Sequence, residues 1–347
     1  MLGILLIAFV MLLLLAFFEE YLGKYKWAAY IVIGIIMILC AGLRPVGFDR
    51  DSENYESFFL HPESGLSETS VEPLFLALCK ILYFFYPDVQ LLLFFFAFFG
   101  VIIKFWAIRK ITPLFFLPLV IYFSNFFLLH EVTQIRAGIV SGLFLLSLPQ
   151  MAEGKRVLPF FLIAFGALFH YSAISLLPLL FLRNKKIQPK FKIVWACVVP
   201  LCFVLYALNL DLLTTLPIPY VTDKVETYKM MSEFGNVDKE SILNPFPLMK
   251  MAVFLYFLYF SKTIESYVPS INLLIKILGC SLIVYFAFSS VKIISTRISE
   301  LYGIVEIVAY PCVYFTIKPK IVGIVIVCLM GLIEIYFNVF QWNFFEF

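Results

Sequence analysis

The chain has 347 residues, 63% of them hydrophobic and 14% charged, with 41 Phe and a formal net charge of +3. A soluble domain carries roughly 45–50% apolar residues, so this composition excludes an ordinary globular fold and predicts an all-α, polytopic integral membrane protein. The small net charge argues against a nucleic-acid partner, and His61, His130 and His170 are too scattered for a metal cluster, so neither a metal nor another cofactor is expected.

A span needs about 20 apolar residues. Residues 2–18 are the first candidate; no basic stretch opens them and Glu19-Glu20 follows where a cleavage site would need small residues, so they are expected to be a retained helix and not a signal peptide. Further spans are expected at 27–42, 89–108, 112–129, 135–150, 191–210, 247–260, 271–289, 301–317 and 321–339. Two apolar runs do not fit this pattern. Residues 73–86 would make a helix of roughly 21 Å, too short to cross, which predicts a re-entrant or interfacial helix stopped by Pro87. Residues 157–182 are too long for one comfortable crossing and carry His170 near the middle, which leaves one tilted helix or a broken hairpin turning at His170-Tyr171-Ser172. The total comes to about 10–12 transmembrane helices in a single membrane domain, 1–347.

Basic residues orient this set. If the Arg44 loop is external, Lys24, Lys26, Lys104, Arg109, Lys110, Lys155, Arg156, Arg183, Lys185 and Lys186 fall inside, as positive-inside asymmetry requires, provided that 157–182 turns back. The two acidic loops, 43–71 and 211–246, then both lie outside. Within the second, Val221, Val225, Tyr228 and Met231 recur at near-helical spacing, which predicts a short amphipathic helix lying over the external mouth or on headgroups. All seven cysteines lie in apolar runs without CxxC spacing and read as packing residues. Lys80, Lys250, Lys276, Glu306 and Glu334 interrupt apolar runs; the lysines are expected to snorkel, and Glu306 is an additional functional candidate.

Four polar clusters converge on the external face: Arg44, Gly47, Asp49, Arg50, Asp51 and Tyr55; Glu72 at the start of the short helix; His130, Glu131, Gln134 and Arg136 with His170 and Tyr171; and Lys292, Arg297 and Glu300. Guanidinium groups bind phosphate oxygens bidentately, so Arg44, Arg136 and Arg297 suit a lipid-linked diphosphate without a metal. A carboxylate or imidazole would take the proton of an attacking sugar hydroxyl, and Asp49, Glu72 and His170 are the candidates. Gly47 would let the backbone turn sharply beside the substrate, and Tyr55 would offer a flat face to a sugar. Each also has a plainer reading: Arg44 as an interfacial anchor, Glu72 as a helix N-terminal charge, His170 as a structural histidine, Arg297 and Glu300 as an ion pair, and Asp51, Glu53 and Glu56 as a solvated loop. Arg136 resists such a reading, because apolar sequence surrounds it and burial without a partner is costly.

The ordered segments Arg44-x-x-Gly47-x-Asp49 with Tyr55, Glu72-Pro73-Leu74-Phe75, Gln134-Ile135-Arg136-Ala137-Gly138, Phe169-His170-Tyr171-Ser172-Ala173 and Thr296-Arg297-Ile298-Ser299 resemble the EpsG-like family of bacterial polysaccharide polymerases, related to the Wzy O-antigen polymerases. The resemblance implies a GT-C-like glycosyltransferase of the bacterial inner membrane with its active site facing the periplasm. It implies joining of undecaprenyl-pyrophosphate-linked repeat units of an O antigen or capsule, with membrane lipid and a chain-length regulator protein as partners. It places the roles on Arg44, Asp49, Glu72, Arg136, His170 and Arg297. Pro45 and Phe48 depart from the small or polar residues expected beside the Arg-Gly-Asp segment. A flippase for the same unit is the first rival, and would spread polar residues through many spans. An acyltransferase that modifies the glycan is the second, and would present its histidine and arginines toward a cytoplasmic donor.

Overall fold

The structure, a computed structural model, describes residues 1–62, 71–208, 210, 245–289 and 292–341. The amphipathic helix expected at Val221–Met231 lies outside them. Regular structure among the described residues is helical. In chain order the helices are α1 (Leu2–Phe17), α2 (Lys26–Gly42), α3 (Ser52–Leu60), α4 (Pro73–Phe85), α5 (Val89–Ile111) and α6 (Leu117–Ile121), which runs into a π-helix (Tyr122–Thr133). There follow α7 (Ile135–Ala152), α8 (Val157–Ala167), a 3-10 segment (Tyr171–Phe181), α9 (Pro189–Ala207), α10 (Pro245–Glu265), α11 (Ile271–Ala287), α12 (Lys292–Gly303), α13 (Glu306–Ala309) and α14 (Lys320–Tyr336).

Six helical stretches are long and apolar enough to cross a membrane: Glu19–Gly42, Val89–Ile111, Ile135–Ala152, Pro189–Ala207, Ser295–Phe315 and Lys320–Phe340. Shorter apolar helices pack among them. Ile7, Ile31, Phe161, Ile193 and Leu329 stay more than half exposed on the outer faces of α1, α2, α8, α9 and α14, as side chains solvated by lipid would. Helices α5, α7 and α2 pack side by side, α11 lies between α12, α9 and α10, and α14 covers α6 and the π-helix.

Both irregular runs fold as short pieces. Pro73 fixes the first turn of α4, which ends before Pro87. The 157–182 run is broken: α8 stops at Ala167, His170 is extended (φ −157°, ψ 121°), and the chain continues in the 3-10 segment. A second, smaller apolar cluster joins these pieces to the long helices. It includes Tyr55, Phe59, Phe75, Phe96, Ile135, Ile139 and Phe169, with Phe75 and Phe169 set 5.9 and 6.2 Å from the Phe96 ring.

Several expectations are corrected. Lys104 is not an inside loop residue but is fully buried, paired with Glu131 and donating to the Gly138 carbonyl at 2.6 Å. The ion pair explains how a lysine remains mid-helix. Lys250 does not snorkel; its Nζ meets Glu306 Oε1 at 2.9 Å. His130 and Glu131 do not join the external cluster, for every residue of the π-helix is buried and the His130 imidazole meets Ser141 Oγ at 3.0 Å. The expected span 301–317 is met by the apolar helical stretch Ser295–Phe315, which begins earlier and carries a turn after Gly303.

At the junction of the π-helix with α7, Gln134 (φ −92°, ψ 64°) turns the chain directly into the helix that carries Arg136. The two segments approach so closely that a Cβ on Gly138 would sit 2.9 Å from the His130 carbonyl oxygen. A backbone atom cannot swing aside, so Gly138→Ala is expected to cost about 1–3 kcal/mol. The check is a lowered unfolding midpoint in detergent; an unchanged midpoint would mean that the segments part freely.

Candidate active site

The sequence Glu72-Pro73 dictates where the central carboxylate emerges. Proline confines the residue before it to extended backbone, and Glu72 (φ −70°, ψ 134°) caps α4 with its side chain free of the helix's own N–H groups. That side chain reaches two other elements. Its Oε1 accepts from His170 Nδ1 at 2.7 Å and from the Tyr171 backbone N–H at 3.0 Å, while Oε2 accepts from Arg136 Nη1. The carboxylate is 1% exposed, whereas the Arg136 and His170 side chains are 20% and 19% exposed. The anion is thus the buried anchor, and a cation and an imidazole lie in front of it. Burial pushes the Glu72 carboxyl up, but the His170 hydrogen bond, the Arg136 charge and the Tyr171 N–H together hold it below the usual carboxylate range. An ionised Glu72 fixes the histidine tautomer: Nδ1 donates to it, and Nε2 is left for the open side. The Arg136 guanidinium lies 5.0 Å over the Phe75 ring, which holds it from below.

The Arg44 loop forms a closed frame beside this cluster. Arg44 is fully buried; Nε donates to Asp49 Oδ2 at 2.8 Å and Nη1 to the Ala41 carbonyl at 2.7 Å, capping the end of α2. Gln90 Nε2 donates to the Arg44 carbonyl at 2.9 Å and so ties the loop to α5. Gly47 takes φ +80°, the left-handed turn that glycine allows, and its N–H reaches Ser52 Oγ at 2.9 Å. Ser52 Oγ in turn donates to the Asp49 carbonyl at 3.0 Å, and Asp49 Oδ1 accepts the Asp51 N–H at 3.1 Å. Arg44 and Asp49 are therefore committed to each other and to the loop. Tyr55 is buried against Phe75, with ring centroids 6.0 Å apart, and supports the floor.

Asp51 groups with this loop in the sequence, where it takes a solvated reading. It is half-buried at the cap of α3, and its side chain makes no capping bond. Burial and the Asp49 charge push its carboxyl above the ordinary range, against the pull of Arg297, Arg136 and Arg44. A half-buried Asp on which three arginine charges act differs from the solvated residue expected of this loop. The available signal was helical spacing, since Asp51 lies four residues before Tyr55 and shares its face. Arg297 is exposed on α12 and close enough to act on Asp51. Among the described residues it forms no ion pair with Glu300. The structure thus gathers Glu72, Arg136 and His170 directly, brings Arg297 to them through Asp51, and sets Arg44, Gly47, Asp49 and Tyr55 behind them.

Chemically, the arrangement offers guanidinium donors for an oxyanion and an imidazole oriented by a buried carboxylate. Among the described residues no group of three or more His, Cys, Asp or Glu side chains is placed to hold a metal ion.

A family model described as the EpsG family matches residues 27–346. Among curated proteins, the amylovoran biosynthesis protein AmsC of Erwinia amylovora is similar, at 24% identity over 173 residues, 46% of this chain and 46% of that protein. The match therefore spans about half the length of that relative. No solved structure matches.

Proposed function

The chain belongs to the EpsG family, and from that premise we propose that it is a Wzy-type polysaccharide polymerase, joining repeat units carried on a lipid diphosphate at the outer face of the membrane. The observation that carries the reading is the Glu72 hub, where a buried carboxylate holds Arg136 of α7 and His170 of the hairpin turn on one open side. The name of the similar protein, an amylovoran biosynthesis protein, supports the same direction.

In this mechanism a hydroxyl oxygen of the acceptor unit attacks the anomeric carbon of the donor sugar. The bond from that carbon to the diphosphate oxygen breaks, and its electron pair leaves with the lipid diphosphate. Arg136 and Arg297 neutralise the charge that grows on the leaving oxygens. His170 Nε2 takes the acceptor's proton, and Glu72 holds the imidazole and stabilises the imidazolium that results. Arg44, Gly47 and Asp49 fix the wall from which Asp51 faces the two arginines. Both sugars stay attached to lipid until transfer, so no covalent sugar–enzyme intermediate is needed.

Deleting the gene tests the reading. Surface glycan should shrink to a single repeat unit while lipid-linked units still reach the outer leaflet. Accumulation of those units on the cytoplasmic leaflet would make the protein a flippase, and undiminished chain length with loss of an acyl group would make it an acyltransferase.

A further inference from the structure

A cavity lies at the base of the hairpin that presents His170. Helix α8 is 11 residues long, so its start lies about 16 Å from the turn at His170. At that base a cavity of about 520 Å³ opens between the start of α8 and the end of the 3-10 segment, lined by Arg156, Val157, Phe160, Leu180, Phe181 and Arg183. Its size is within the roughly 300–1,000 Å³ of ligand pockets.

The charges in it are unbalanced. Arg156 is held in place, its Nη1 donating to the Met151 carbonyl at 3.0 Å and its Nη2 to the Leu182 carbonyl at 2.6 Å. Arg183 is exposed, and among the described residues its guanidinium has no hydrogen-bond or ion-pair partner. No carboxylate lines the cavity. Glu153, close in sequence, pairs with Lys155 at 2.7 Å, and both are more than half exposed. Partial burial and the neighbouring Arg183 charge both push Arg156 below its ordinary range, a strain that an anion between the two would relieve. The walls are apolar and uncovered: Phe181 is 87% exposed, Val157 72% and Phe160 47%. A free phosphate would satisfy the guanidinium groups and make no use of these walls. A zwitterionic lipid would bring its own ammonium to a place already too positive.

We propose that this cavity binds one anionic glycerophospholipid, its phosphate held between Arg156 and Arg183 and its acyl chains lying on Val157, Phe160 and Phe181. A basic pocket between membrane helices is the usual setting for such headgroups. Because Arg156 also bonds the Met151 carbonyl at the end of α7, the lipid braces both elements that supply the site, α7 with Arg136 at its other end and the hairpin with His170 at its turn. The lipid site stands independently of the glycosyl-transfer reading, and its test uses binding alone.

The experiment is native mass spectrometry of the purified full-length protein in detergent, with phosphatidylglycerol, phosphatidylcholine or inorganic phosphate added. Wild-type protein should retain phosphatidylglycerol in preference to phosphatidylcholine, and millimolar inorganic phosphate should not displace it. Arg183→Gln removes one charge-assisted contact and should weaken phosphatidylglycerol binding about tenfold, with the lipid-free unfolding midpoint unchanged because the structural bond at Arg183, from Lys276 Nζ, is to its backbone carbonyl. Phe181→Ala should weaken it less, by loss of wall alone. Equal retention of both lipids, displacement by inorganic phosphate, or wild-type binding by Arg183→Gln would each overturn the assignment.

Discussion

His170→Asn is expected to lower polymerisation by about 10²–10⁴-fold, the usual worth of a positioned general base, with protein level and fold unchanged. The side chain is 19% exposed and, among the described residues, its hydrogen-bond partner is Glu72 at 2.7 Å, so an asparagine that keeps a donor there preserves the local structure. Glu72→Gln should fall by a comparable factor for a different reason: a neutral amide no longer fixes the tautomer or supports the imidazolium. The double variant should be no worse than the poorer single one, because the pair acts as one unit. The measurement is chain growth in proteoliposomes supplied with lipid-linked repeat units. Full losses that multiply would separate the two residues into independent roles. Wild-type polymer from His170→Asn would remove it as base and leave Asp51 as the remaining half-buried acid on that face.

Much of this arrangement was legible before any coordinates. The break at His170, the short helix after Glu72 and the isolation of Arg136 follow from local rules about span length, proline and the cost of unpaired charge. What stayed hidden were partners. Glu72 meets Arg136 and His170 at separations of 64 and 98 residues, and Lys250 meets Glu306 at 56; helical periodicity carries no information over such distances. Arg44 and Asp49 are only five residues apart, yet the spacing alone fitted a ligand clamp as well as a self-contained loop. Asp51, expected in a solvated loop, is half-buried, and an acidic loop in sequence gives no sign of which carboxylate is covered. The π-helix had no signature at all, because its extra residue per turn shifts the apolar face without altering composition.

The hidden pair that joins α5 to that π-helix carries the largest expected effect on stability. Lys104 and Glu131 are 0% and 1% exposed and bonded to each other, with Lys104 also holding the Gly138 carbonyl at the start of α7. Lys104→Met leaves a carboxylate buried with no cation, and Glu131→Leu leaves an ammonium in the same position; either should cost about 3–5 kcal/mol. Lys104→Met with Glu131→Leu removes both charges at similar volume and should recover most of that loss, since apolar replacement of a buried pair is near neutral or stabilising. Unfolding midpoints in detergent for the four proteins complete the cycle, and additive losses would show that the two side chains do not depend on each other. Activity then separates packing from chemistry. The pair lies behind Gln134, where the π-helix turns into the helix carrying Arg136, so each single change should also displace Arg136 and slow polymerisation. If the double variant regains stability and polymerisation together, the pair serves to hold that turn; if stability returns and polymerisation does not, the buried charges themselves act on the site.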